Sequence, residues 1–185
     1  MEFLKLVLSF APWLAFLLIG HGSLERLILG LAVALALGVI MGVMRIHRGF
    51  ILWVGLTFFS LALVLVAVFH NLWTIRHMGV LANAALALGA WVGVAREKPF
   101  TLDYARDHAP EALWSSPAFI RGNMIITSVW ASAFSANAVL AWMKMEHLLA
   151  PDLAWEIASY AILLATAVFT QVYPAHAKRR SAAPT

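Results

Sequence analysis

Residues 27–48 read LILGLAVALALGVIMGVMRIHR. The first eighteen of them, Leu27–Met44, contain no charged side chain, and the last four contain two arginines and a histidine. Eighteen apolar residues form about 27 Å of α-helix, which nearly matches the hydrocarbon core of a bilayer. The stretch therefore predicts a transmembrane helix that ends in a basic joint at the membrane surface.

The rest of the chain repeats this pattern. Of 185 residues, 63% are hydrophobic and 12% charged, and the mean hydropathy is +0.85. We predict an all-α, polytopic transmembrane helical bundle over residues 1–173 and a basic, disordered cytoplasmic tail over 174–185. The predicted spans are about residues 3–20, 27–44, 50–69, 78–95, 119–143 and 153–173. The first contains Pro12, so the count is six, or five if that run lies at the interface.

The basic residues predict the orientation. With six spans, ten of the thirteen lysines and arginines fall on one side of the membrane: Lys5, Arg45, Arg48, Arg96, Lys98, Arg106, Arg121, Lys178, Arg179 and Arg180. Only Arg26, Arg76 and Lys144 fall on the other. Because basic loops stay in the cytoplasm, both termini and the central loop, residues 96–118, are predicted to be cytoplasmic. In that loop Phe100, Tyr104 and Trp114 are candidates for headgroup depth, and Ser116-Pro117 predicts a helix start.

Small residues recur every four positions in two of the spans. The second span has Gly30, Ala34, Gly38 and Gly42, and the fourth has Ala85, Gly89 and Gly93. In lipid, close backbone approach through small residues is a main source of helix association. We interpret the two rows as packing seams, within the protein or with a second copy in a homo-oligomer. The alternative is that glycine and alanine are simply common in membrane helices.

The fifth span is the most polar. One face of it carries Asn123, Thr127, Trp130 and Asn137, with Phe134 between them. An amide in hydrocarbon needs a hydrogen-bonding partner, and Asn83 of the fourth span is a candidate for Asn137. Structural hydrogen bonding between helices is one interpretation of this face, and a polar path for a small solute is the other.

Other chemistry finds little support in the sequence. The basic residues lie at the ends of apolar runs, which argues against nucleic acid as a partner. The chain has no cysteine, which excludes disulfides and thiolate chemistry. Four histidines on the predicted outer side are weak metal candidates, since they come from three loops: His21, His70, His77 and His147. We predict no cofactor and no catalytic residue.

The order of several landmarks resembles the intracellular septation protein A family of bacterial inner-membrane proteins. The landmarks are Phe10-Ala11-Pro12, Phe69-His70-Asn71, Lys98-Pro99, and Asn123 with Asn137. The resemblance covers about residues 10–173. The chain departs from the family pattern at Phe119 and Ile126, where the family has tryptophans, so it resembles a distant member or a sister family.

The resemblance implies a non-enzymatic protein of the bacterial inner membrane. Its implied role is cell-envelope maintenance or septation, through contacts with division or elongation proteins, with lipids around the bundle. Two alternatives stay open on the residues alone. One is a small transporter or channel that uses the polar face of the fifth span, and the other is a membrane enzyme or metal protein that uses the outward histidines.

Overall fold

A computed structural model describes residues 10–44, 50–106, 109–146 and 152–182. Within these ranges the protein is all-helical and has no β-strand. The helices are α1 (Ala11–Ile19), α2 (Leu24–Val43), α3 (Phe50–Leu63), α4 (Leu72–Arg76), α5 (Met78–Ala95), α6 (Phe100–Arg106), α7 (Pro117–Met145) and α8 (Asp152–Ala182). A π-helical turn, Val64–Val68, extends α3, and a 3₁₀ turn, Glu111–Leu113, precedes α7.

Five helices are long and apolar enough to cross a membrane. The spanning stretches are Leu24–Val43, Ile51–Val68, Met78–Ala95, Pro117–Met145 and Asp152–Pro174. These are the lengths and compositions of a multi-pass membrane protein. The first predicted span is described only from residue 10 onward, where α1 has nine helical residues, about 14 Å. The five-helix core is thus observed, and the sixth span stays a prediction.

Consecutive long helices run antiparallel. A Cβ atom on Gly38 would lie 3.2 Å from Leu56 Cδ2, and one on Gly42 would lie 3.2 Å from Leu52 Cδ2. Because the later position on α2 meets the earlier position on α3, these two helices run in opposite directions. The helix α5 packs between α3 and α7, and α8 packs mainly on α7. We call the end of the bundle that holds residues 96–106 and 109–116 the long-loop end. The end that holds residues 20–23, 69–77 and 146 is the short-loop end.

Aromatic side chains fill the core beside α1. Trp13 lies 4.6 Å, centroid to centroid, from Phe59, and Phe10 stacks on Trp130 at 5.7 Å. Phe100 is 2% exposed and meets Phe10 edge-on at 6.1 Å. The helix α6 thus folds back from the loop and inserts this ring into the bundle, and its depth relative to the headgroups stays a prediction.

Helix ends follow local rules. The Ser116 hydroxyl accepts a hydrogen bond from Phe119 N at 3.2 Å, and Pro117 occupies the first turn of α7, which confirms the predicted helix start. At the other end of the chain, α8 continues through Pro174 as far as Ala182. The segment predicted as a disordered tail therefore begins inside this helix.

Candidate functional site

One face of α7 is buried and carries both of its asparagines. Asn123, Thr127, Trp130 and Asn137 are all buried, and Thr127 is 0% exposed. Their steps of four, three and seven residues bring them to one side of the helix. That side faces the neighbouring helices, whereas Ser132 and Val139 on the opposite side are exposed. We call the buried set the polar face.

At the long-loop end, the polar face holds the loop helix α6 in place. Thr101 Oγ1 donates to Asn123 O at 3.1 Å and lies 2.9 Å from Thr127 Oγ1. Asn123 Nδ2 donates back to Phe119 O, one turn earlier on α7, at 3.0 Å. Thr101 is itself buried, so these bonds join α6 to α7 away from competing solvent.

In the middle of the bundle, Trp130 connects α7 to α8. Its Nε1 donates to Thr170 Oγ1 at 2.9 Å, and the Thr170 hydroxyl donates to Thr166 O at 2.9 Å. Its ring packs on Phe10 and on Phe134, with centroids 5.7 and 5.4 Å away. One side chain thus joins α8 to the segment that precedes α1.

Toward the short-loop end, the two asparagines proposed as partners bond elsewhere. Asn83 Nδ2 donates to Gly79 O on its own helix at 2.9 Å. Asn137 Nδ2 donates to Ser159 O on α8 at 3.4 Å, and Asn137 Oδ1 is buried with no partner among the described residues. The expected Asn83–Asn137 hydrogen bond is therefore wrong, because each amide reaches a backbone carbonyl instead.

Two ion pairs lie at the short-loop end of α7. Lys144 Nζ bonds to Glu156 Oε1 on α8. Glu146 Oε1 lies 3.5 Å from Arg76 NH2 at the end of α4. All four side chains are partly exposed, so the pairs connect helices at the surface and contribute little stability each.

The small residues of both predicted seams lie at close contacts within the bundle. A Cβ on Gly30 would lie 3.0 Å from Gly20, and one on Gly89 would lie 2.8 Å from Val54 Cγ2. Gly38 and Gly42 meet α3, Ala34 is fully buried, and Ala85 packs against the core. Gly93 faces Lys98 O, where a Cβ would lie 3.0 Å from that oxygen. Because both rows consist of small residues, neighbouring backbone or side chains can approach these two helices closely.

Three of the candidate histidines, His21, His70 and His77, are dispersed at the short-loop end. His21 is exposed, and His77 Nδ1 lies 2.7 Å from Trp73 O. His70 adopts a left-handed backbone conformation with φ 46°, which turns the chain into α4. His147 lies outside the described residues, and among the residues that are described no group of three metal-ligating side chains occurs.

Sequence reasoning missed the partners of the polar face. Thr101, Thr166 and Thr170 are single hydroxyl residues without a motif, and the Ser159 carbonyl is a backbone group. The available signal was the length of the loop: a 23-residue loop with an internal apolar-aromatic segment has enough chain to fold a helix back onto the bundle.

The chemistry available on the polar face is hydrogen bonding between neutral groups. Amides, hydroxyls and an indole donate and accept without changing charge near neutral pH. Such a set can hold helices together or can bind a small polar molecule.

The fold and this face define the class of protein: a helical, multi-pass membrane bundle with a buried neutral polar face. The chain matches no protein-family model, no curated protein and no solved structure. The resemblance to the septation protein A family therefore stays a prediction.

Proposed function

We propose that the protein is a non-enzymatic scaffold of a bacterial inner membrane, similar to septation protein A. In this proposal it supports envelope maintenance or septation by contacting division or elongation proteins. Six spans cross the membrane, and both chain ends and the long-loop end are cytoplasmic. Lipids surround the bundle, and a second copy of the chain is a further candidate partner.

One observation carries the proposal: polar residues at the landmark positions hold the fold together. Asn71 Oδ1 caps α4 by accepting from Thr74 N at 2.9 Å, directly after the His70 turn. The Asn123 amide bonds to Phe119 O within α7, its backbone carbonyl accepts from Thr101 on α6, and Asn137 Nδ2 donates to Ser159 O on α8. Residues bonded in this way favour a protein that acts through its surfaces over one that acts through a reaction centre.

The long loop has an inner and an outer part. Phe100, Thr101 and Leu102 are buried in the bundle, whereas residues 110–113 and 115 are exposed. Leu113 is a large apolar side chain in this exposed part, and Glu111 adds a charge. The outer part is therefore the section of the loop that we assign to partner contact.

The test combines deletion with site-specific crosslinking. Cells that lack the gene should show altered length or greater sensitivity to envelope stress, and the wild-type gene should restore them. A photo-crosslinking amino acid at Leu113 should capture a division or elongation protein. The matched control carries the same residue at Leu72, which is also exposed but lies at the short-loop end.

Two results together would contradict the scaffold. Deletion would leave cell length and envelope integrity unchanged, and Leu113 would capture no envelope protein beyond the Leu72 background. If only one of these results were obtained, the other measurement would still support the scaffold.

The second candidate function is a path for a small neutral solute. It is favoured by the depth that the buried polar face covers, from Asn123 to Asn137, which is about 21 Å along α7. Liposomes that contain the protein should then admit a solute such as urea or glycerol in stopped-flow swelling. Asn137→Leu should abolish that flux, and Ser132→Leu on the lipid-facing side should preserve it. Equal swelling of protein-containing and empty liposomes would exclude this candidate for those solutes.

A further inference from the structure

Asn137 presents a buried amide oxygen without a donor. The residue is 3% exposed, its Nδ2 makes a long bond of 3.4 Å to Ser159 O, and its Oδ1 has no partner in the part of the chain that the structure describes. Buried polar atoms in folded proteins are nearly always bonded to protein or to ordered water. This oxygen therefore marks a position where a donor from outside the chain would be stabilised.

A second buried atom of opposite character lies on the facing helix. Trp155 precedes Ser159 by four residues, so the two share one face of α8. Its Nε1 is a donor that is buried without an acceptor among the described residues. Asn137 on α7 thus has an acceptor oxygen without a donor, and Trp155 on α8 has a donor nitrogen without an acceptor among the described residues. Water is the smallest molecule that supplies both.

The α7–α8 interface ends in partly exposed, charged side chains at the short-loop end. Lys144 and Glu156 form their ion pair there, and both side chains are partly exposed. Asn137 lies eight residues before the end of α7 at Met145, which is about 12 Å of helix. A hydrated route of that length needs only two turns of α7 to be wetted.

The helix α8 is also the least buried of the spanning helices. Only 6% of its spanning stretch is buried inside the bundle, against 28–39% for the other four. Its hydroxyl residues Thr166 and Thr170 and the Ser159 carbonyl face α7. An interface with polar groups along it accommodates water more readily than an apolar one.

We propose that the α7–α8 interface contains a hydrated site, open at the short-loop end beside Lys144 and Glu156 and reaching inward to Asn137. Asn137 Oδ1 accepts a hydrogen bond from bound water, and Trp155 Nε1 donates to bound water. Any bound molecule larger than water would still be small and neutral and would carry a hydroxyl or amide group. The site stands on this geometry and depends on neither proposed function.

Cysteine accessibility tests the site, because the chain contains no cysteine of its own. The variant Asn137→Cys is treated in proteoliposomes with a charged, membrane-impermeant methanethiosulfonate, which reacts with thiolates in water. The matched control is Val139→Cys, only about 3 Å further along α7 but 55% exposed on the lipid-facing side. We expect the Asn137→Cys thiol to react at least tenfold faster.

Equal reaction rates for the two thiols would overturn the proposal, provided that both label fully after denaturation in dodecyl sulfate. If Asn137→Cys does not fold, Ser159→Cys replaces it, with the exposed Ile157→Cys of α8 as its control. The same tenfold ratio is expected for that pair, and its absence counts against the site.

Discussion

Glu97 adopts a left-handed backbone conformation, with φ 56°, where α5 ends. Lys98 N bonds to Gly93 O at 2.8 Å and Glu97 N bonds to Val94 O at 3.0 Å, which together form a Schellman motif. Glycine usually occupies this position, because a side chain there costs about 1 kcal/mol or somewhat more. The backbone at Glu97 is therefore strained, and this conformation forms the turn that leads into α6.

We predict that Glu97→Gly stabilises the protein by about 0.5–1 kcal/mol, since relief of strain outweighs the added freedom of the unfolded chain. Thermal unfolding in detergent should show a higher Tm. Glu25→Gly in the first turn of α2 is the control and should lower the Tm, because glycine disfavours a regular helix. A lower Tm for both variants would contradict the strain at Glu97.

Thr101 is a second residue whose environment makes it sensitive to substitution. We predict that Thr101→Val destabilises the protein by about 1–2 kcal/mol, because it removes the bond to Asn123 O and leaves the buried Thr127 hydroxyl with one partner fewer. Thr57→Val is the matched control on an exposed face of α3 and should leave the Tm almost unchanged. Equal effects would mean that the α6–α7 bonds contribute nothing.

At the scale of elements, the approach of α3 to α5 depends on one glycine. A Cβ on Gly89 would lie 2.8 Å from Val54 Cγ2, which is closer than van der Waals contact permits. Gly79 on the same helix has more room, since a Cβ there would lie 3.6 Å from Ala141 Cβ. Gly79 and Gly89 therefore differ in what an added methyl group would meet.

We predict that Gly89→Ala destabilises the bundle by about 1–3 kcal/mol through overpacking, and Gly89→Leu more severely. Gly79→Ala should be neutral or stabilising, because it adds helix propensity at an ordinary contact distance. The Tm in detergent is the measurement. The double variant Gly89→Ala with Val54→Ala should recover part of the loss. If Gly89→Ala is as stable as Gly79→Ala, this glycine does not set the helix spacing.

At the scale of the whole molecule, the alternation of helices separates the loops into two sets. Gly22 and Leu72 lie at the short-loop end, and Leu113 lies at the long-loop end. All three are exposed. The charge asymmetry along the sequence predicts that the long-loop end is cytoplasmic.

We predict that single cysteines at Gly22 and Leu72 react with an impermeant maleimide added to intact cells, because they face outward. A cysteine at Leu113 should react only after the membrane is permeabilised. No background arises, since the chain has no cysteine. Labelling of Leu113→Cys in intact cells, with Leu72→Cys protected, would reverse the orientation.

Much of the candidate site was visible in the sequence, but its partners were not. Steps of three and four residues were enough to put Asn123, Thr127, Trp130 and Asn137 on one helix face, because helix periodicity is a local property. Which group each side chain bonds to depends on how neighbouring helices slide and rotate. That is why the Asn83–Asn137 pair was wrong and Thr101 was missed.

The sequence by itself determined the helical class and the five long spanning helices, because a bilayer demands runs of about 20 apolar residues with all backbone groups bonded within the helix. The tertiary structure decided which faces meet. It placed Phe100 in the core, bonded Thr101 to α7 and left Asn137 Oδ1 buried without a partner. In lipid the hydrophobic effect does not select between apolar faces, so close packing and a few hydrogen bonds make that choice.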